Sequence, residues 1–83
     1  MRLAKYVKFR EEKFGGVLFE TKSEKVYTLT PTAAAVVQEI SAGRAPAEIA
    51  PRLAERFAGP DGEIEREVVA FIAELREKGL VEG

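Results

Sequence analysis

The chain has 83 residues, within the range of about 50–250 that makes one domain, so a single unit over residues 1–83 is expected. Hydrophobic residues at 46% and charged residues at 33% exclude an intrinsically disordered segment, and a net charge of −1 excludes a global field for nucleic acid or anionic membrane. The absence of Cys and His excludes a disulfide, a thiolate metal site and an imidazole base.

The first thirty residues carry strand patterns. Tyr6-Val7-Lys8-Phe9-Arg10 alternates with a period of two, which puts Val7 and Phe9 on one face. Val17-Leu18-Phe19 forms a second short run after Gly15-Gly16, a pair that reads as a flexible corner. Lys25-Val26-Tyr27-Thr28-Leu29 is β-branched and aromatic, and the polar turn Thr21–Glu24 closes a hairpin between the last two strands. This stretch holds seven basic and four acidic residues, whereas residues 31–83 hold six and ten.

From Thr30 the period becomes helical. Thr30 is the predicted cap and Pro31 the first helical residue; Ala33, Val36, Val37 and Ile40 form one stripe, and Gly43 ends it. A second helix is predicted from Pro46 to about Phe57, burying Ile49, Leu53 and Phe57, either kinked at Pro51 or beginning late. Gly59-Pro60-Asp61-Gly62 breaks the chain. The third helix, about Glu63 to Lys78, buries Ile64, Val68, Phe71, Ile72 and Leu75, with Gly79 as its left-handed stop and Leu80 and Val81 clamping the end. The expected architecture is α+β and winged-helix-like: a small three-stranded antiparallel sheet followed by three α-helices packed on one face.

The residues argue against catalysis. Glu65 and Glu67 diverge by about 200° around a helix, and Glu74 and Glu77 read as solvated charges. A carboxylate metal loop would need several Asp, and Asp61 is alone. No cofactor is therefore expected, and the chain reads as a non-enzyme. A winged-helix order raises the alternative of a DNA-binding transcriptional regulator that reads with its third helix. That helix carries five Glu against Arg66, Arg76 and Lys78, which phosphates would repel, so no nucleic-acid partner is expected. Peptide binding fits better. Lys25–Leu29 is a candidate edge strand to which an extended chain can add. On the third helix Val69 and Ala73, flanked by Arg76, make a strip that is either a binding surface or scattered surface apolarity; pattern alone leaves both readings standing.

The residues that suggest an answer are Arg10-Glu11-Glu12-Lys13-Phe14-Gly15-Gly16-Val17-Leu18-Phe19, then Val26-Tyr27-Thr28-Leu29-Thr30, an Ala-Glu-Ile in the second helix and the close Lys78-Gly79-Leu80-Val81. Over about residues 7–82 their order and spacing resemble PqqD-like proteins. The resemblance implies a peptide chaperone, or RiPP recognition element, which binds the leader of a ribosomally synthesised precursor peptide by strand addition. It implies delivery of that peptide to a radical SAM/SPASM enzyme for maturation. Carried onto this chain, it marks Lys25, Val26, Tyr27, Thr28 and Leu29 on the strand side, and Glu65, Val69, Ile72, Ala73 and Arg76 on the helix side. Tyr27 would anchor an apolar leader residue and Arg76 an acidic one. The chain departs from the pattern at Ala45-Pro46, where relatives carry a Ser or Thr cap, and at Pro51.

No signal peptide or membrane span is legible, so a cytoplasmic chain with no membrane partner is expected. An unpaired edge strand also invites self-pairing, so a monomer or weak homodimer is expected.

Overall fold

The computed structural model describes residues 1–57, 59–60 and 62–83. In chain order it contains β1 (Arg2–Leu3), β2 (Val7–Glu12), β3 (Gly15–Glu20), β4 (Lys25–Leu29), α1 (Pro31–Ser41), α2 (Pro46–Arg56), α3 (Glu63–Glu77) and β5 (Val81–Glu82). Strands β2, β3 and β4 form an antiparallel sheet in that order, followed by the three helices, as expected from the pattern.

Two departures in the sheet have a common cause. The predicted corner at Gly15-Gly16 is instead the start of β3, and the chain turns at Lys13-Phe14, so that Glu12 pairs with Gly15 and Glu11 with Gly16. The glycines serve close packing. A Cβ on Gly15 (φ +142°) would lie 2.2 Å from the Leu29 carbonyl oxygen, and one on Gly16 would lie 2.7 Å from Cε1 of Phe9. With the turn moved toward the N-terminus, β2 extends to Glu12 and β3 covers six residues rather than three. The polar turn Thr21–Glu24 lies where expected, between β3 and β4.

Period-two alternation puts Leu18, Tyr27 and Leu29 on the face that meets the helices, and Phe19 and Val26, which are cross-strand partners, on the other. Val7, Leu18 and Leu29 join Val36, Val37, Ile40, Ile49, Leu53, Val68 and Leu75 in one core.

Helix α1 begins as predicted: the Thr30 hydroxyl accepts from the Ala33 amide at 3.2 Å, and Pro31 follows. Gly43 closes it at φ +85°. Its buried surface is wider than a stripe, because Ala34, Ala35 and Glu39 are also enclosed between β3, α2 and α3. The Glu39 carboxylate accepts from Nε of Arg52, with Nε of Arg44 4.0 Å away, so an ion pair joins α1 to α2. Helix α2 starts at Pro46 without delay and continues across Pro51, which is exposed; the Glu48 side chain accepts from the Ala45 amide at 2.9 Å in place of a Ser or Thr cap. Of the breaker cluster, Asp61 lies outside the described residues.

The two-stranded sheet was not legible in the sequence. β1 pairs antiparallel with β5, Arg2 opposite Glu82 and Leu3 opposite Val81. The stop itself forms as predicted, with Gly79 at φ +71° and the Leu80 amide donating to the Leu75 carbonyl at 2.9 Å. The Ala4 amide then donates to the Leu80 carbonyl at 3.0 Å, and the Tyr6 hydroxyl to the Gly79 carbonyl at 3.0 Å. These bonds tie the C-terminal end of α3 to the chain just before β2.

Candidate functional site

Strand β4 has one neighbour, β3, so among the described strands its other edge has no partner. Along that edge runs a groove of about 380 Å³ whose opposite wall is α3. Its size falls in the range of about 300–1,000 Å³ usual for ligand clefts. Leu18, Leu29, Val36, Leu75 and Leu80 give it an apolar base continuous with the core. Tyr27 and Thr28 line the strand side, and Glu67, Ala70, Phe71, Glu74 and Lys78 the helix side.

The two walls have different chemistry. β4 offers backbone N–H and C=O groups, which recognise an extended chain whatever its side chains. α3 offers side chains: Phe71 and Ala70 as an apolar centre, with charges toward the ends. Lys78 Nζ lies 3.8 Å from Glu74 Oε1 in an i, i+4 pair and 5.9 Å from the centre of the Tyr27 ring, so its charge sits at the end of α3, beside the middle of β4. Thr32 and Ala33 at the start of α1 also line the groove.

The strand half of the predicted site falls on this edge. Tyr27, Thr28 and Leu29 line the groove, while Lys25 stands at the strand's start. Val26 is 58% exposed beside Phe19 on the outer face, so it can serve a bound strand through its backbone and not by pointing into the groove.

The helix half lies away from the groove. Glu65, Val69, Ile72, Ala73 and Arg76 do not line the groove. At about 100° per residue their mean direction lies about 170° from that of Glu67, Ala70, Phe71, Glu74 and Lys78. Ile72 is buried in the core, and the other four are exposed on the far flank of α3. An amphipathic helix has two flanks beside its buried stripe, and the exposed Val69 draws attention to the one turned away from the groove. Phe71 marks the groove flank: predicted as buried, it is only half-buried, because its ring lies at the border of core and groove. The tertiary position of β4 decides the flank.

Among the described residues no cluster of three or more His, Cys, Asp or Glu is placed to hold a metal ion, and no helix is long and apolar enough to cross a membrane.

The family model of coenzyme PQQ synthesis protein D (PqqD) matches residues 15–81. No curated protein matches the chain. Among solved structures the chain is similar to a lasso peptide synthetase B1 complexed with the leader peptide, at 28% identity and a TM-score of 0.81, covering 99% of this chain and 96% of that one. It is also similar to TbiB1 in complex with the TbiA(beta) leader peptide, at 20% identity and a TM-score of 0.84, covering 100% of this chain and 96% of that one. At 20% identity the second likeness speaks for the fold alone.

Proposed function

This chain belongs to the PqqD family, and on that premise we propose that it is a non-catalytic peptide-binding module that holds the leader of a ribosomally synthesised precursor peptide. The observation that carries the reading is the groove between the unpartnered edge of β4 and the Phe71 face of α3. A leader strand adds to Lys25–Leu29 through backbone hydrogen bonds, and its inward side chains enter between Tyr27 and Phe71. The likeness to a synthetase component complexed with a leader peptide supports the same reading. Binding the leader raises the local concentration of the attached core peptide at a modifying enzyme, with no chemistry by this chain. A chain without Cys or His is consistent with that division of labour.

On this reading the peptide's helix-side partners are Glu67, Ala70, Phe71, Glu74 and Lys78, which line the groove, with Lys78 taking the cationic role expected of Arg76. The regulator reading is not favoured, since α3 has a net charge of −3 and Glu67 and Glu74 line its groove face.

The receiving enzyme is the finer part of the proposal. The radical SAM/SPASM expectation comes from the family resemblance as a whole, and the two glycines in its opening motif answer to packing against Leu29 and Phe9, which any maturation enzyme would leave unchanged. The likeness to a lasso peptide synthetase B1 supports a lasso peptide synthetase instead, which is not a radical SAM enzyme. Co-elution of the leader-loaded protein with each class decides between them.

The test is an amide-resolved NMR titration of the full chain with the short precursor peptide encoded nearest its gene. Saturating shifts on residues 25–29 and on Glu67, Ala70, Phe71, Glu74 and Lys78, at one peptide per chain, are expected. Shifts on Glu65, Val69, Ala73 and Arg76 instead would return the site to the far flank. Silence with peptide but shifts on α3 with duplex DNA would replace the reading with the regulator. Mass in solution, measured alongside, separates peptide addition from pairing of β4 with a second copy.

A further inference from the structure

Two carboxylates line the groove, and they differ in one respect. Glu74 is neutralised within its own helix by Lys78, 3.8 Å away. Glu67 has Glu63 and Ile64 one turn before it and Ala70 and Phe71 one turn after, none of them cationic. Its sequence neighbour Arg66 is turned to the helix start, where Nη1 lies 2.9 Å from the position a Cβ on Gly62 would take. The groove residues contributed by β4, Thr30 and α1, among them Thr28, Thr32, Ala33 and Val36, are all uncharged. Among the described residues no ion pair includes Glu67.

We infer that the groove selects a peptide carrying Lys or Arg two positions from an apolar anchor, with Glu67 as the counter-ion. The inference rests on the peptide-binding reading of the groove. Its spacing follows from geometry. Glu67 and Phe71 are four residues apart on α3, about 6 Å along the axis, and two residues of an extended strand span about 6.6 Å. Two positions is also the period that returns a side chain to the same face, so the anchor at Phe71 and the cation at Glu67 both point inward. A cation there meets an unpaired carboxylate in a partly enclosed groove, whereas an acidic residue meets Glu67 with Glu63 behind it.

The probe is a displayed library of random dodecapeptides, selected against the full chain and against the variant Glu67→Lys. For the natural chain the expected enrichment is an apolar residue with Lys or Arg two positions away. For Glu67→Lys the same anchor should appear with Asp or Glu at that position. Replacing the cation of the best synthetic peptide by Gln should lower affinity for the natural chain roughly two- to fivefold, the scale of a solvent-accessible ion pair, and leave affinity for Glu67→Gln unchanged. A shared apolar anchor with the same charge preference for both proteins would overturn the inference and leave the peptide-binding reading standing. Absence of any common motif with either protein would overturn both.

Discussion

Ala70 and Val69 are adjacent in sequence but point about 100° apart around α3, and that difference tests the groove assignment sharply. Ala70 lines the groove, whereas Val69 is 63% exposed on the other flank. In Ala70→Glu the longer side chain enters the space between Tyr27 and Phe71 and adds a third carboxylate to Glu67 and Glu74. A leader strand then cannot bury its apolar anchor. Burial of one large aliphatic or aromatic side chain is worth about 1.5–3 kcal/mol, so affinity should fall about 10- to 150-fold. Val69→Glu adds the same charge on the far flank and should leave affinity within about twofold. Both positions are exposed, so each variant should keep its stability within about 0.5 kcal/mol. The assay is fluorescence anisotropy with a labelled leader peptide, with thermal melts as the control for folding. Equal losses in the two variants, or a larger loss for Val69→Glu, would refute the assignment of the groove face.

Gly15→Ala should destabilise the fold by roughly 2–4 kcal/mol in urea unfolding, since its Cβ would lie 2.2 Å from backbone oxygen. Gly43→Ala, also at positive φ but with nothing within 4 Å, should cost only about 1 kcal/mol; equal losses would refute the steric account. Tyr6→Phe removes the bond to the Gly79 carbonyl and should cost about 1 kcal/mol, with faster hydrogen exchange at Leu80 and Val81. Arg52→Ala leaves the buried Glu39 carboxylate with only Arg44 at 4.0 Å, so its melting temperature should fall below that of Arg44→Ala.

Local physics carried much of this structure. The period change at Thr30, the Thr30-Pro31 start, the Gly43 and Gly79 stops and the alternation through Lys25–Leu29 each depend on residues a few positions apart, and each was legible. So was the edge strand, because a β-rich segment before a run of helices has few strands left to pair with. Three features depended on residues far apart in the chain. The Gly15-Gly16 pair resembles a corner in the sequence because flexibility is a local property, while the approach of Leu29 and Phe9 that requires glycine is not. Arg2–Leu3 and Val81–Glu82 are each too short to show a strand period, and they become strands only by meeting across the length of the chain. The helix-side residues expected from the sequence lie on the flank away from the groove, although the expected buried stripe of α3 contains all four of its buried residues, with Phe71 in addition. Periodicity determines which face of a helix turns inward. It says nothing about which flank faces a strand, because β4 reaches that position through the packing of β3 on α1 and through the tie of Ala4 and Tyr6 to the end of α3.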